Sequence, residues 1–487
     1  MVVNNSVITK IKQAILGTQF EDKTYVAGGF VRDLIMGKDN KDIDIVVELP
    51  NGGVELANFL HHAIGASEPT VYNNSCGTAQ VVIDGEKIEF VMTRKEKYEF
   101  GNRTPLCEYG TIYDDVRRRD FTINSILYKI STGEIIDLLG GKRDIDCGKI
   151  RTSSYPDETF QDDPLRIMRA IRFATRLNFE IEEETFYQIS KHVFALKMIS
   201  VERIRDEFNQ IIIDPNFKVG MNLLRTSGIL DFMCVELSNL YKLGQGKYHT
   251  KDAWGHTLDV MKLTKPTLEH RMAALFHDSG KPQTISKSGN EIHFYGHQIV
   301  SGKIFTNFLN RFRYSNDFIK MVVPAVQLHM NFVDGMLDKT IRKKVNQYGK
   351  DIMLFACDLA KADSKRPERR RIVYDIRRFI ETDNFTIQPK VILPVNGNEL
   401  MERYNLKPGP KIGAMVEYIK ELMFENPNIS KEEVFEKIDE INRTNPIKWT
   451  RIKDIERELV KSSTAYVLNG AVPIITIDYM DVLKTDQ

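Results

Sequence analysis

The stretch Gly28-Gly29-Phe30-Val31-Arg32-Asp33, followed by Lys41-Asp42-Ile43-Asp44-Ile45-Val46, decides the reading of the fold. Its second half predicts a strand over residues 43–47. Side chains on a strand alternate between faces, so Asp42 and Asp44 point one way while Ile43 and Ile45 enter the core. Two carboxylates on one face suit a hard divalent ion such as Mg²⁺, which prefers oxygen ligands. A two-metal centre there would lower the pKa of an attacking hydroxyl and stabilise charge on a leaving pyrophosphate. The Gly28-Gly29 pair lets backbone approach phosphate oxygens closely, with Arg32 one turn further on. A DxD alone is most often a solvated strand edge, and a Gly-Gly alone a turn. It is the succession of the two that points to phosphate chemistry.

Outward from this stretch, residues 24–26, 79–83 and 88–92 also read as short strands. In the last of these Glu89 is a candidate third carboxylate. From about residue 164 to 240 the apolar period becomes helical, with Leu165, Met168, Ile171 and Phe173 recurring. A second helical stretch runs from 249 to about 382. Pro389 and Pro394 break it, a charged helical region extends to about 445, and 471–477 reads as an apolar strand in the tail. At 487 residues the chain exceeds one core. Its net charge of +1 supplies no global field for nucleic acid, so RNA binding has to come from local patches. The five cysteines are scattered without a CxxC pair, which argues against a disulfide framework and suits a reducing cytosol. No run approaches the ~18 apolar residues of a membrane span. A soluble cytoplasmic protein is expected, its state as monomer or homodimer open.

The segment resembles the head of class II tRNA nucleotidyltransferases (CCA-adding enzymes) and bacterial poly(A) polymerases, members of the polymerase-β superfamily. The resemblance continues in order. Asp115-Val116-Arg117-Arg118-Arg119-Asp120-Phe121-Thr122-Ile123-Asn124 is similar to the family's second motif, which handles ribose and triphosphate. Ile136-Asp137-Leu138 with Gly140-Gly141 and Asp144 resembles the third, Asp162-Asp163-Pro164-Leu165-Arg166 the fourth, and Glu202-Arg203-Ile204-Arg205-Asp206-Glu207 the fifth. The resemblance implies an α+β fold: a polymerase-β-like head with a mixed sheet and helices, then an all-helical neck and a helical HD domain. It implies catalysis by Asp42 and Asp44, with Glu89 a less certain metal ligand. Gly28, Gly29, Arg32, Asp115, Arg118, Arg119, Asp120, Asn124, Asp163, Arg166 and Arg169 would bind nucleotide. CTP, ATP and the tRNA acceptor end would be the substrates, with no membrane involved.

The fourth motif carries its own logic. Read as three apart on one helix, Asp163 and Arg166 face the same side. A carboxylate accepts from an exocyclic amine while a guanidinium donates to the adjacent ring nitrogen. Cytosine and adenine present that pattern; uracil and guanine reverse it. One Asp/Arg pair would thus select CTP and ATP without a template, although an isolated DxxR is usually only a salt bridge. The family commonly has Glu where this chain has Asp162. Poly(A) polymerases share the head motifs, but residues 74–80 (Asn74-Ser75-Cys76-Gly77-Thr78-Ala79-Gln80) resemble the CCA-adding pattern. The loop 94–110 resembles the flexible loop needed for the final adenosine, with Arg103 its working residue. A poly(A) polymerase or a CC-only enzyme is the alternative.

Further on stand His256, His277-Asp278, His297, His329 and Asp363. A lone core histidine is usually just a satisfied polar group, but a buried His-Asp pair needs a partner or a metal. This spaced set resembles an HD-domain phosphohydrolase, with Mn, Ni, Co, Fe or Mg as candidate ions and metal-dependent hydrolysis of a phosphoester on RNA ends as a reading of a different class. A third reading is an RNA-binding protein with an inactive head. Arg366, Arg369, Arg370 and Arg371 form the most basic cluster; a charge run is usually a solvated helix face, but here it suits tRNA phosphates. The expected division is 1–150 head, 151–240 neck, 241–390 HD domain, 391–445 helical extension, and 446–487 a tail without assigned role.

Overall fold

The computed structural model describes residues 5–40, 42–73, 76–97, 106–245, 251–289, 291–332, 336, 338–383 and 393–444. The chain separates into two compact units at residues 385/386. The first begins with α1 (Ser6–Ile15), β1 (Thr24–Ala27), α2 (Gly29–Ile35), β2 (Asp44–Val47) and α3 (Gly52–Ile64), then β3 (Thr70–Asn73), β4 (Thr78–Ile83) and β5 (Glu86–Met92). A two-stranded ribbon, β6 (Arg94–Lys97) and β7 (Leu106–Tyr109), leads to α4 (Ile112–Arg118), β8 (Leu127–Lys129) and β9 (Ile135–Ile136). The four strands expected from sequence are all present. The seven-stranded sheet has the order β3-β4-β5-β2-β1-β8-β9. It is mixed because β2 and β5 run parallel while their neighbours pair antiparallel. Parallel neighbours require a long crossover, which α3, β3 and β4 supply.

Alternation along the strands sets the two faces. Val26, Ile45, Ile88 and Phe90 enter a large core shared with α1, α2 and α3. Tyr25, Ala27, Val46 and Leu127 instead meet Val116 of α4 on the opposite face. Helix α3 lies so close to the sheet that a Cβ on Gly53 would come within 2.2 Å of the Gly77 carbonyl oxygen. Only glycine fits there.

After α5 (Gly141–Asp146) and β10 (Lys149–Ile150) the chain becomes helical: α6 (Pro156–Asp162), α7 (Leu165–Leu177), β11 (Glu180–Ile181) pairing β10, α8 (Glu183–His192), α9 (Val201–Ile213), α10 (Phe217–Thr226) and α11 (Ile229–Ser238). Asn178 in the left-handed conformation ends α7, a common helix stop. Helices α12 (Ala253–Leu263), α13 (Leu268–Phe276), α14 (Lys281–Thr284), α15 (His297–Arg311), α16 (Asn316–Leu328), α17 (Asp338–Tyr348), α18 (Lys350–Asp363) and α19 (Pro367–Thr382) follow. The expected uninterrupted helical stretch contains one exception, a hairpin of β12 (Ser286–Ser288) and β13 (Glu291–His293). One continuous core spans the sheet and most of these helices, from Val7 to Ile380. The second unit has its own small core, built by α20 (Gly397–Arg403), α21 (Pro410–Glu425) and α22 (Lys431–Thr444). The expected strand at 471–477 lies outside the described residues. Among the described residues no helix is long and apolar enough to cross a membrane.

Two further points bear on function. Arg172 of α7 and Glu207 of α9 form an ion pair with side chains only 10% exposed. Replacing Glu207 with alanine strands the guanidinium and should cost about 3–5 kcal/mol, read from urea unfolding. The expectation of no disulfide is corrected. Cys76 and Cys107, 31 residues apart, are joined with their Cα atoms 5.2 Å apart. Sequence spacing hid this because their approach depends on tertiary folding: the turn before β4 and strand β7 meet only once the β6–β7 ribbon continues from β5. Cys147, Cys234 and Cys357 are free.

Candidate active site

The head site lies on the α4 face of the sheet. Asp44 opens β2, and its register partner on the parallel neighbour β5 is Glu89. Asp42 precedes β2 by two residues, and exposure alternates from Asp42 to Ile45 as the sequence predicts. Burial raises the Asp44 carboxyl above its ordinary pKa; Arg119 opposes the shift and Asp42 adds to it. Glu89 is likewise raised, by burial and then by Asp44. Three carboxyls, of which Asp42 raises Asp44 and Asp44 raises Glu89, all offering oxygen, are a donor set that a hard divalent cation fits. Gly28 (φ 76°) belongs to the same cluster: a Cβ there would lie 3.3 Å from Asp44 Oδ2 and 3.8 Å from Arg119 Nη1.

The arginines around this cluster are held by buried acids. Asp115 receives Arg118 Nη2 at 2.6 Å on one oxygen and Arg119 Nη2 at 2.9 Å on the other. Burial alone would raise the Asp115 pKa, but Arg119 and Arg118 hold it below the usual value. Asp120 grips Arg169 through Nε and Nη2 at 2.8 and 2.6 Å and accepts from Asn124 Nδ2. Arg32, expected at phosphate, is turned inward. It is 2% exposed, bound to Asp33 and to Asn124 Oδ1, and lies beside the Phe173 ring. Buried in this network, Arg32, Asp120 and Asn124 brace the site. Gly28 and Arg119 border the carboxylates directly, while Arg118 is held by Asp115 and Glu96.

Asp163 and Arg166 do not share a helix. Asp163 is extended (φ −140°, ψ 97°) between α6 and α7, because the following Pro164 disfavours helical geometry at the preceding residue. Its carboxylate accepts from Leu165 N–H and stands 3.8 Å from Arg203 of the fifth motif. Arg166 donates to the Arg118 carbonyl at 2.8 Å, which ties α7 to the second motif. Both side chains remain at the junction of head and neck, but not as the helical pair expected. Arg103 and residues 74–75 lie outside the described residues.

The second cluster is brought together tightly. His256 Nε2 lies 2.9 Å from Asp363 Oδ1; His277 Nε2 lies 3.1 Å from Asp278 Oδ2; His297 Nε2 lies 3.3 Å from Asp278 Oδ1. His329 packs edge-on against His277 and His297. In His277, His297 and His329 the Nδ1 atom faces the carbonyl three residues earlier, at 2.7, 2.8 and 2.6 Å. A carbonyl only accepts, so each Nδ1 carries a proton and each Nε2 is the atom turned to the cluster, where burial lowers the His277 pKa but Asp278 and Asp363 raise it to about 10. Those three Nε2 atoms are buried without a hydrogen-bond partner. Burial depresses His329 to about 3, so it stays neutral. His256, His277 and Asp278 form one group able to hold a metal, and Asp278, His297 and His329 another.

Of the basic cluster, Arg369 is drawn inward, donating to the His329 carbonyl and lying 3.8 Å from Asp363. Arg366, Arg370 and Arg371 are exposed, although Arg370 also donates to the Ser364 carbonyl. Sequence reasoning gives three residues no role. Glu96 on β6 accepts from both Arg94 and Arg118, and Lys281 Nζ donates to Asp278 at 2.6 Å. Asn40 bridges Asp33 and Asp42. Glu96 and Asn40 carried no motif signal. Lys281 stands three residues after Asp278, a spacing that was available to read.

Residues 24–151 match the family model described as "Poly A polymerase head domain". Residues 178–240 match "Probable RNA and SrmB- binding site of polymerase A", and 298–438 match a second domain of tRNA nucleotidyltransferases. The fold and the head site therefore define a nucleotidyltransferase built on the poly(A) polymerase head. A CCA-adding enzyme of Streptococcus uberis is 27% identical over 442 residues, covering 87% of this chain and 93% of that one. The one from Streptococcus mutans is 28% identical, covering 85% and 90%. The crystal structure of the Bacillus stearothermophilus CCA-adding enzyme in complex with CTP shares the fold, with a TM-score of 0.54 at 22% identity over 90% of this chain and 97% of that one. Over most of its length the chain is thus similar to CCA-adding enzymes.

Proposed function

We propose that this protein adds C, C and A to the 3′ end of tRNA from CTP and ATP, without a nucleic-acid template and with release of pyrophosphate. The observation that carries this reading is the register of Asp44 against Glu89, with Asp42, Gly28 and Arg119 beside them. The tRNA 3′-oxygen attacks the α-phosphorus, and the bond to the bridging oxygen of pyrophosphate breaks. Mg²⁺ held by Asp42, Asp44 and Glu89 would supply activation of the hydroxyl and neutralisation of the pyrophosphate charge. Arg118 and Arg119, held in place by Asp115, present guanidinium forks to the triphosphate. The glycine at 28 lets phosphate oxygens approach the backbone.

Base choice falls to the fourth motif. Arg166, fixed to the second motif through the Arg118 carbonyl, and Asp163 at the start of α7 offer a donor and an acceptor to the base edge. Replacing Arg166 with alanine should reduce discrimination of CTP over UTP by about 10²-fold, measured as relative kcat/KM for single-nucleotide addition. Unchanged discrimination would move base selection elsewhere.

A second activity is supported by the inward-facing Nε2 atoms of His277, His297 and His329. We infer that these residues, with His256, Asp278 and Asp363, hold a divalent transition metal in an HD-type site, and that it hydrolyses phosphoesters on RNA ends. Mixed imidazole and carboxylate donors suit Mn, Fe, Co or Ni, with Mg the harder alternative. Removing a metal present at 100 times its Kd should cost about 2.7 kcal/mol of stability. A chelator should therefore lower Tm, and metal analysis of the purified protein should find the ion.

A further inference from the structure

Asp44 is fixed by the sheet, whereas Asp42 lies before β2 begins. Among the described residues the Asp42 carboxylate has no hydrogen bond or ion pair. What holds this residue is Asn40. Asn40 Oδ1 accepts the Asp42 backbone N–H at 2.9 Å, and Asn40 Nδ2 donates to Asp33 Oδ2 at 2.7 Å. The first contact alone is an ordinary turn bond between a side chain and the backbone two residues on. The second makes it an anchor. Asp33 is 5% exposed, and its other oxygen takes Arg32 Nε and Nη2 at 2.8 and 2.7 Å. Arg32 Nη1 donates to Asn124 Oδ1 at 2.7 Å, Asn124 Nδ2 to Asp120 Oδ1 at 3.1 Å, and Asp120 Oδ2 takes both nitrogens of the Arg169 fork. An unbroken chain of hydrogen bonds therefore runs from the backbone of Asp42 to α7, and Asn40 is the link nearest the carboxylates.

We infer that Asn40 is a positioning residue for nucleotidyl transfer: it sets the backbone of Asp42, and with it the direction of the Asp42 carboxylate towards Asp44 and Glu89. The inference rests on Asp42 being a ligand to the catalytic ions. The amide is suited to this place because it both donates and accepts. An aspartate would keep the acceptor for Asp42 N–H but set a carboxylate against Asp33. An alanine removes both bonds.

The test is the rate of first-C addition to tRNA as a function of Mg²⁺ concentration, measured on the full chain. Asn40→Ala should lower kcat by about 10–100-fold, the range for residues that orient metal ligands. It should also raise the Mg²⁺ concentration needed for half-maximal rate, and leave KM for tRNA and the order of preference among the four nucleotides unchanged. Asn40→Asp should recover part of the Mg²⁺ shift, because it retains the acceptor, and it decides the question if the alanine variant does not fold. A wild-type rate and Mg²⁺ midpoint in Asn40→Ala would overturn the proposal, as would a loss in either variant that leaves the Mg²⁺ midpoint unmoved. Asp42→Ala run alongside separates the two levels. If it retains activity, the assignment of Asp42 fails; if it is inactive while Asn40→Ala is unaffected, only the role of Asn40 fails.

Discussion

Asp44→Asn should lower C and A addition to tRNA by about 10³-fold or more, beyond the usual cost of losing one oriented donor at a transition state. The size follows from where Asp44 sits. It is the central carboxyl of the site, in register with Glu89, electrostatically coupled to Asp42 and within reach of Arg119. Asparagine keeps the shape and removes the charge that a divalent cation needs. The effect on folding should be opposite in kind. Desolvation and like charges raise the pKa of both Asp44 and Glu89 against Arg119 and Arg94, and both side chains are exposed, so the fold gains little from their ionisation. Neutralising one of them should leave Tm unchanged or slightly higher. Loss of activity with retained stability marks a catalytic carboxylate. A parallel fall in both would mark Asp44 as structural.

The second large effect lies in the other cluster. Asp278 is 1% exposed; it receives Lys281 at 2.6 Å and lies 3.1 and 3.3 Å from the Nε2 atoms of His277 and His297. Asp278→Ala leaves buried Lys281 with Gln245 and the Phe294 ring in place of a carboxylate, and removes the group common to both candidate metal-binding sets. Stranding a buried charge in this way costs about 3–5 kcal/mol, visible as a large drop in the urea midpoint. The metal inferred for this cluster should be lost as well. His277→Ala in the same background should add much less than it costs alone, since both residues serve one cluster. Where the variant stays folded, nucleotide addition by the head should continue, because Asp42, Asp44 and Glu89 are untouched. A fall in nucleotide addition matching the loss of metal would tie the two sites together and contradict their independence.

The placement of the head carboxyls on one sheet face was legible because its signals are local. The alternation Asp42-Ile43-Asp44-Ile45 states its own two faces, and Glu89 falls opposite Asp44 through the same period of two. The six His and Asp residues of the second cluster were legible as a set, since buried imidazoles and carboxylates in apolar helices call for one another. What sequence could not supply was direction. Arg32 looks like a phosphate ligand but points at Asp33 and Asn124, a choice fixed by the packing of α7 and Phe173 against it. The Asp163/Arg166 pair was read as helical although Pro164 stands between them and excludes that geometry for Asp163, a local signal that was available. Arg369 looks like a surface charge but turns to the His329 carbonyl. The Cys76–Cys107 link depends on where the β6–β7 ribbon falls after β5, a tertiary matter that no spacing reveals.

The most direct measurement uses tRNA that ends just before CCA, incubated with CTP and ATP and resolved by length. The account predicts addition of C, C and A in that order, followed by arrest after three nucleotides. An extending A-tail with ATP alone would contradict it in favour of a poly(A) polymerase, and arrest after two nucleotides would mark a CC-only enzyme.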